Sequence, residues 1–222
     1  KSGNQEFSDF GQIRMVCLST TLATNAIVEG QGAEVGLIQI GFEPREGLPT
    51  PYYAVVSGGC TIKGKIREEL NPEEIKQAIF DMKDQVDAFA VSGYLSIRNP
   101  IQELEVAALI RDFTGYPVVA AHHLSSDLGM HERTVTAILN ARLMPLITDL
   151  INSVKKGMQR LGIAAPLMVV RGDGSLISEK KAREKPIETI LSGPAASIIG
   201  ALTLTGIEKG IVFDMGGTTT DV

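Results

Sequence analysis

The 222 residues are 44% hydrophobic and 21% charged, with 5% aromatic side chains and a formal net charge of −5. That balance suits a packed globular core and excludes a disordered polyelectrolyte, and an acidic chain offers no broad basic face to nucleic acid or to an anionic bilayer. No apolar run approaches the ~20 residues that span a bilayer, and the opening KSGNQEFSDF has no signal-peptide core, so a cytoplasmic location without a membrane partner is expected.

Taken in chain order, CLSTTLATNAIVEG (17–30) passes from a strand into a helix, with Ser19 placed as N-cap. Thr24 and Asn25 are poor helix formers, which points to a polar face with a specific task. VGLIQI (35–40) reads as a buried strand. LNPEEIKQAIFDM predicts a helix: Asn71 caps it, Pro72 takes the first position, Glu74 completes a capping box and Leu70 staples to Ile75. VDAFAV (86–91) is a second buried strand, 101–114 a helix stopped by Thr114-Gly115, and PVVAA (117–121) a third strand. The polar HHLSSDLG (122–129) places a boundary near residue 125, dividing the chain into 1–124 and 125–222. Residues 131–162 keep helical spacing past Pro145, which predicts one kinked helix or two in series.

PLMVV (166–170) and IVF (211–213) are the last predicted strands, and between them ETILSGPAASIIGALTLTG (188–206) reads as strand, turn and helix, with Ser192 as cap. The charge-alternating SEKKAREKP (178–186) reads as a solvated face. Short apolar runs alternating with helices predict an α/β fold, with parallel or mixed sheets flanked by helices. Cys17 and Cys60 lack metal-site spacing and read as buried or free thiols. The three histidines, His122, His123 and His131, lack helical ligand spacing and read as non-metal residues.

Chemistry concentrates at FDMGGTTTD. A strand entering Asp-x-Gly-Gly-Thr suits a tight turn whose Gly216 and Gly217 amides, with the Thr218 and Thr219 hydroxyls, approach a phosphate. Asp214 and Asp221 are candidate Mg²⁺ carboxylates, because that ion is usually shared between one or two carboxylates and substrate phosphates. An unliganded Gly-Gly turn is the competing reading. In VVRGDGSLIS, Arg171 and Asp173 stand at the end of a buried strand, where α/β sheets gather ligands.

Four ordered stretches resemble the hydantoinase/oxoprolinase family. LSTTLATNA (18–26) is similar to its HGTTxATNA, with Leu18 and Ser19 in place of His and Gly. GMHERTVTAILNARLMP (129–145) resembles its GEYERxxT and NAxLxP patterns, with His131 in place of Tyr; SGPAAS (192–197) resembles SGPAGG; and FDMGGTTTDV (213–222) resembles FDMGGTSTDV. The resemblance implies part of an actin-like (ribonuclease H-like) ATPase fold, truncated at both ends. On that footing, 1–124 is the C-terminal part of the family's N-terminal region, and 125–222 is the start of its hydantoinase A-type domain.

It further implies a hydrolase using ATP and Mg²⁺ to phosphorylate the oxygen of a cyclic amide such as a hydantoin or 5-oxoproline. Gly216, Gly217, Thr218 and Thr219 would hold phosphate, Asp214 and Asp221 the metal, and Thr21, Asn25, Arg171 and Asp173 the substrate. A second subunit of hydantoinase B type is an implied partner, and the isolated piece is expected to be inactive. The alternatives are a sugar- or acid-kinase-like phosphotransferase and a non-catalytic subunit of a carboxylase-type assembly.

Overall fold

The computed structural model describes residues 10–126, 128–207, 209–215 and 220–221. In chain order these form β1 (Val16–Leu18), α1 (Leu22–Val28), β2 (Val35–Ile40), β3 (Tyr53–Val56), α2 (Pro72–Met82), β4 (Ala88–Gly93), α3 (Ile101–Thr114) and β5 (Val118–Ala120). There follow α4 (Met130–Arg160), β6 (Leu167–Val170), β7 (Leu176–Ser178), α5 (Glu179–Glu184), α6 (Ser192–Thr205), β8 (Asp214–Met215) and β9 (Thr220–Asp221). The chain separates into two compact units, one of residues 29–145 and one of residues up to Val28 together with those from Leu146.

In the 29–145 unit, four parallel strands lie in the order β3-β2-β4-β5. Strand period fixes the two faces: Ile38 and Ile40 of β2 pack with Phe89 and Val91 of β4 against Ile75 and Ile79 of α2 and Val106 and Ile110 of α3. The alternate residues Val35, Leu37, Ala88 and Ala90 pack on Ala137, Ile138 and Ala141 of α4. Every residue of β2 and β4 is buried, as expected of parallel strands covered on both faces. Gly36 is required there, since a Cβ would stand 2.8 Å from the Phe89 ring.

α2 starts as its sequence predicts, with the Asn71 carboxamide accepting from the Glu73 and Glu74 amides. The capping box does not close, however. Glu74 turns to the Ser57 amide (3.1 Å), because the loop after β3 passes within its reach. Residues 130–160 form one continuous helix through Pro145. α4 is long and apolar enough to cross a bilayer, but its Ala137, Ile138, Ala141, Leu143, Ile147 and Ile151 are fully buried beside buried Arg133 and Asn140, the pattern of a core helix.

The other unit holds a mixed sheet, β1-β6-β7, with β1 parallel and β7 antiparallel to β6, and a separate β8-β9 hairpin. Glu179 of α5 accepts from Lys155 (2.5 Å) and Arg183 (2.8 Å), and these bonds hold its carboxyl below its ordinary value. Two expected strands are absent. Residues 186–189 form a 3-10 turn, set by Pro186 and by the Thr189 hydroxyl donating to the Pro186 carbonyl. Ile211 and Phe213 are exposed outside any strand, and pairing begins only at Asp214, where β9 lies opposite. The structure adds β3 and β7, which are not expected from the sequence and form by pairing with β2 and β6.

Candidate functional site

The stretches 17–30, 169–178 and 188–206 meet around residues 186–193. The buried Ser192 hydroxyl donates to the Thr20 carbonyl (3.0 Å) and receives the Thr20 amide (3.3 Å), with Ser19 Oγ 3.4 Å away. Ser192 therefore ties the start of α6 to the end of β1 and does not cap its own helix. That place is taken by Leu191, left-handed at φ 59° and without a side-chain cap. Thr20, not Ser19, supplies the oxygen for the first free amide of α1, that of Leu22 (3.0 Å). Thr24 has a structural task as well: its hydroxyl accepts from the Leu191 amide at 3.1 Å.

Thr21 and Asn25 lie at the start of α1, both exposed, and the Asn25 amide closes the first turn on the Thr21 carbonyl (2.9 Å). Gly193 faces Thr21: a Cβ built there would be 3.5 Å from the threonine methyl.

Arg171 and Asp173 occupy the turn from β6 into β7. Asp173 Oδ1 accepts the Ser175 hydroxyl (2.6 Å) and amide (2.9 Å), while Arg171 Nη1 lies 3.0 Å from Asp173 Oδ2. The bonds from Ser175, with a lesser contribution from the Arg171 charge, hold the Asp173 carboxyl below its ordinary value. Arg171 Nε is 3.0 Å from Glu188 Oε2, within ion-pair range although not aligned for a hydrogen bond. Two glycines let the turn pack this closely. A Cβ on Gly172 would strike the Ile190 carbonyl at 2.2 Å, and Gly174 (φ 81°) would strike Ile199 of α6 at 2.1 Å. Both charged side chains are thus engaged within the turn and with Glu188.

Near the middle of α6, Ser197 Oγ donates to Asp214 Oδ2 at 2.5 Å. The hairpin register sets Asp214 opposite Asp221 and Met215 opposite Thr220. Gly216, Gly217, Thr218 and Thr219 lie outside the described residues. Ser197 was not singled out by sequence reasoning. Its only signal there is a hydroxyl closing the small-residue SGPAAS run, and the contact with Asp214 depends on tertiary placement. Among the described residues no three His, Cys, Asp or Glu side chains converge as a ready-made metal cage. Mg²⁺ needs only one or two protein carboxylates, and Asp214 Oδ2 is a hard oxygen held in place by Ser197.

Two family models match the chain. One, described as hydantoinase/oxoprolinase N-terminal region, covers residues 2–114, and one described as hydantoinase/oxoprolinase covers 133–222. The caprolactamase subunit alpha of Pseudomonas jessenii is 28% identical over 93% of this chain and 34% of its own length. The 5-oxoprolinase 1 of Arabidopsis thaliana is 27% identical over 95% of this chain and 20% of its own. The crystal structure of the ATP-dependent caprolactamase from Pseudomonas jessenii superposes with a TM-score of 0.80 at 25% identity, covering 96% of this chain and 35% of that one. The chain thus spans about a third or less of the length of these relatives.

Proposed function

We propose, because the chain belongs to the hydantoinase/oxoprolinase family, that the polypeptide it forms part of opens a cyclic amide at the expense of ATP. The observation that carries this reading is the hairpin: its register opposes Asp214 and Asp221 across four residues rich in glycine and threonine. Like charges at opposed positions of an antiparallel pair repel one another, and a shared cation removes that penalty. Asp214 and Asp221 would hold Mg²⁺, which supplies neutralisation of phosphate charge. The Gly216 and Gly217 amides and the Thr218 and Thr219 hydroxyls would cradle the phosphate oxygens. Ser197 fixes the Asp214 carboxylate through Oδ2 and so orients it.

Thr21, Asn25, Arg171 and Asp173 are assigned to the substrate side. The first two are exposed, Thr21 beside Gly193, and the second two are engaged by Ser175 and Glu188. Transfer of the γ-phosphoryl group to the amide oxygen makes the carbonyl carbon open to water, a step that rests on positioned charge more than on covalent groups. The names of the relatives support an amide substrate, and the word subunit in one of them supports a partner chain of B type. An actin-like ATPase arrangement and the division of the chain at residue 125 belong to the same proposal. So does a cover, formed by further polypeptide, for the exposed Ile198, Ile199, Leu202 and Leu204 of α6.

The test is ATP hydrolysis by the full-length protein with ε-caprolactam, 5-oxoproline or hydantoin. Amide-stimulated turnover should fall about 100-fold or more in Asp214→Ala. An equal rate in the variant overturns the reading. A stable phosphorylated product with a sugar or acid would assign a kinase instead.

A further inference from the structure

From β2 the chain moves outward to β3 and then crosses to the other side of β2 for β4, with β5 beyond it. In open parallel sheets such a reversal leaves a crevice outside the carboxyl ends of the strands, where ligands collect. A cleft of about 460 Å³ lies there, lined by Gln39 near the end of β2, by Phe42, by Tyr94 just beyond β4, and by Met130, His131 and Thr134 of α4. None of these residues belongs to the phosphate hairpin or to the substrate side.

Two buried atoms in this cleft have no partner, and both can accept a hydrogen bond. Gln39 is 2% exposed; its Nε2 donates to the Phe42 carbonyl (2.6 Å), which fixes the carboxamide and leaves Oε1 as an unpaired acceptor. His131 Nδ1 is likewise buried and unpaired, and it accepts when the ring carries its proton on Nε2. The neighbouring polar position is satisfied, since Ser92, which pairs in register with Gln39, shares a 2.7 Å hydrogen bond with Thr134. Buried acceptors left without donors are costly, so the cleft favours a ligand that brings N–H groups and needs no donor in return.

The rest of the lining narrows the choice. Glu43 and Glu132 stand on the rim with a single guanidinium, that of Arg45. The Glu132 carboxylate folds back against Gly129, which keeps one of its oxygens in the cleft wall. The Phe42 and Tyr94 rings are 4.6 Å apart; the Arg67 guanidinium covers one face of Phe42 at 4.7 Å, and Tyr94, 38% exposed, is the ring left open to a second cation. Among the described residues no three His, Cys, Asp or Glu side chains converge, so the set suits a cation that donates hydrogen bonds better than a metal ion. Leu128 and Met130 supply an apolar wall.

We propose that this cleft binds a small primary alkylammonium ion. Its three N–H groups donate to Gln39 Oε1, His131 Nδ1 and a Glu132 carboxylate oxygen, and its alkyl chain lies against Leu128, Met130 and Tyr94. His131 stands where the GEYER pattern has Tyr, so one of the two buried acceptors departs from that pattern in this chain. Binding is measured without nucleotide or lactam, so this site and the ATP-dependent reaction can each fail while the other stands.

The experiment titrates n-butylammonium chloride, 1-butanol and sodium butyrate into the full-length protein, followed by ligand-observed NMR. Butylammonium should bind at millimolar concentration. 1-Butanol, with the same chain and one uncharged donor, should bind about tenfold more weakly or worse, and butyrate, which only accepts, should not bind. Gln39→Leu should weaken butylammonium by about tenfold. Because Gln39 also braces Phe42, His131→Phe is the second variant: it keeps a ring at that position, removes Nδ1 and should weaken butylammonium by about the same factor. Leu128→Trp, at a position 57% exposed, fills the mouth without disturbing the sheet and should abolish binding. Absence of butylammonium binding at millimolar concentration, butanol or butyrate binding as tightly, or unchanged affinity in either His131→Phe or Leu128→Trp would each overturn the proposal.

Discussion

β2 and α6 are comparably apolar in sequence but end in opposite surroundings. All six residues of VGLIQI are buried, between α2 and α3 on one face and α4 on the other. In α6, only Ser192 is buried, while Leu204 is 88% exposed and Ile198, Ile199 and Leu202 are each more than 40% exposed. Apolar composition states a demand for cover, and neighbours decide whether that demand is met within a given stretch of chain. The polar residues divide in the same way. The 29–145 unit keeps charged side chains such as Glu103 and Arg133 inside and hydrogen-bonded, whereas α6 is held by hydroxyl contacts at its start, through Ser192, and near its middle, through Ser197.

The sharpest way to break that contrast is to remove the buried charge. Glu103 of α3 is 1% exposed; its Oε1 accepts the Gly93 amide (2.7 Å), and its Oε2 accepts the His122 amide (3.0 Å) and faces His122 Nδ1 (2.5 Å). One carboxylate therefore joins the ends of β4 and β5. Glu103→Ala strands three donors and should destabilise the 29–145 unit by about 3–5 kcal/mol. Glu103→Gln, which keeps one acceptor, should cost less. Because the chain has two compact units, the measurement is amide exchange in β4 and β5 rather than a single melting curve. Unchanged protection in Glu103→Ala would show that the unit does not depend on this carboxylate.

How much of this could be read from residues alone follows from the range of each interaction. β2, α2 and α3 were legible because their signals are local: a buried run, an asparagine cap, a glycine stop. The four motif stretches were legible as chemistry, since hydroxyls, glycines and aspartates depart from what helix or strand propensity favours. Partners were not legible where the contact is long-range. Ser192 reads as a cap in sequence, but in the fold its hydroxyl faces Thr20, 172 residues away. Glu74 reads as closing a capping box and instead meets Ser57. Ser197 shows its role only once Asp214 lies beside it.

A smaller effect sharpens the comparison from the α6 side. Ser192 is fully buried and bonds the Thr20 carbonyl and amide, so Ser192→Ala leaves both backbone groups of Thr20 to find other partners. The cost should be about 1–3 kcal/mol. It should appear as faster amide exchange across 19–28 and 186–205, with the 29–145 sheet unaffected. Equal loosening in both units would mean that they do not unfold separately.

The smallest effect tests whether α6 is covered in a longer polypeptide. Leu204→Ser in the 222-residue chain removes a side chain that is already 88% exposed, so stability should shift by no more than about 0.5 kcal/mol. Within the full-length protein, where the proposed cover buries that face, the same substitution should cost about 1.5–3 kcal/mol, the transfer free energy of a buried leucine. Denaturant midpoints of the two forms, each compared with its own parent, give the difference directly. A near-zero change in both would mean that Leu204 stays in water in the longer chain, and α6 would then resemble a solvent-facing helix more than a buried β2.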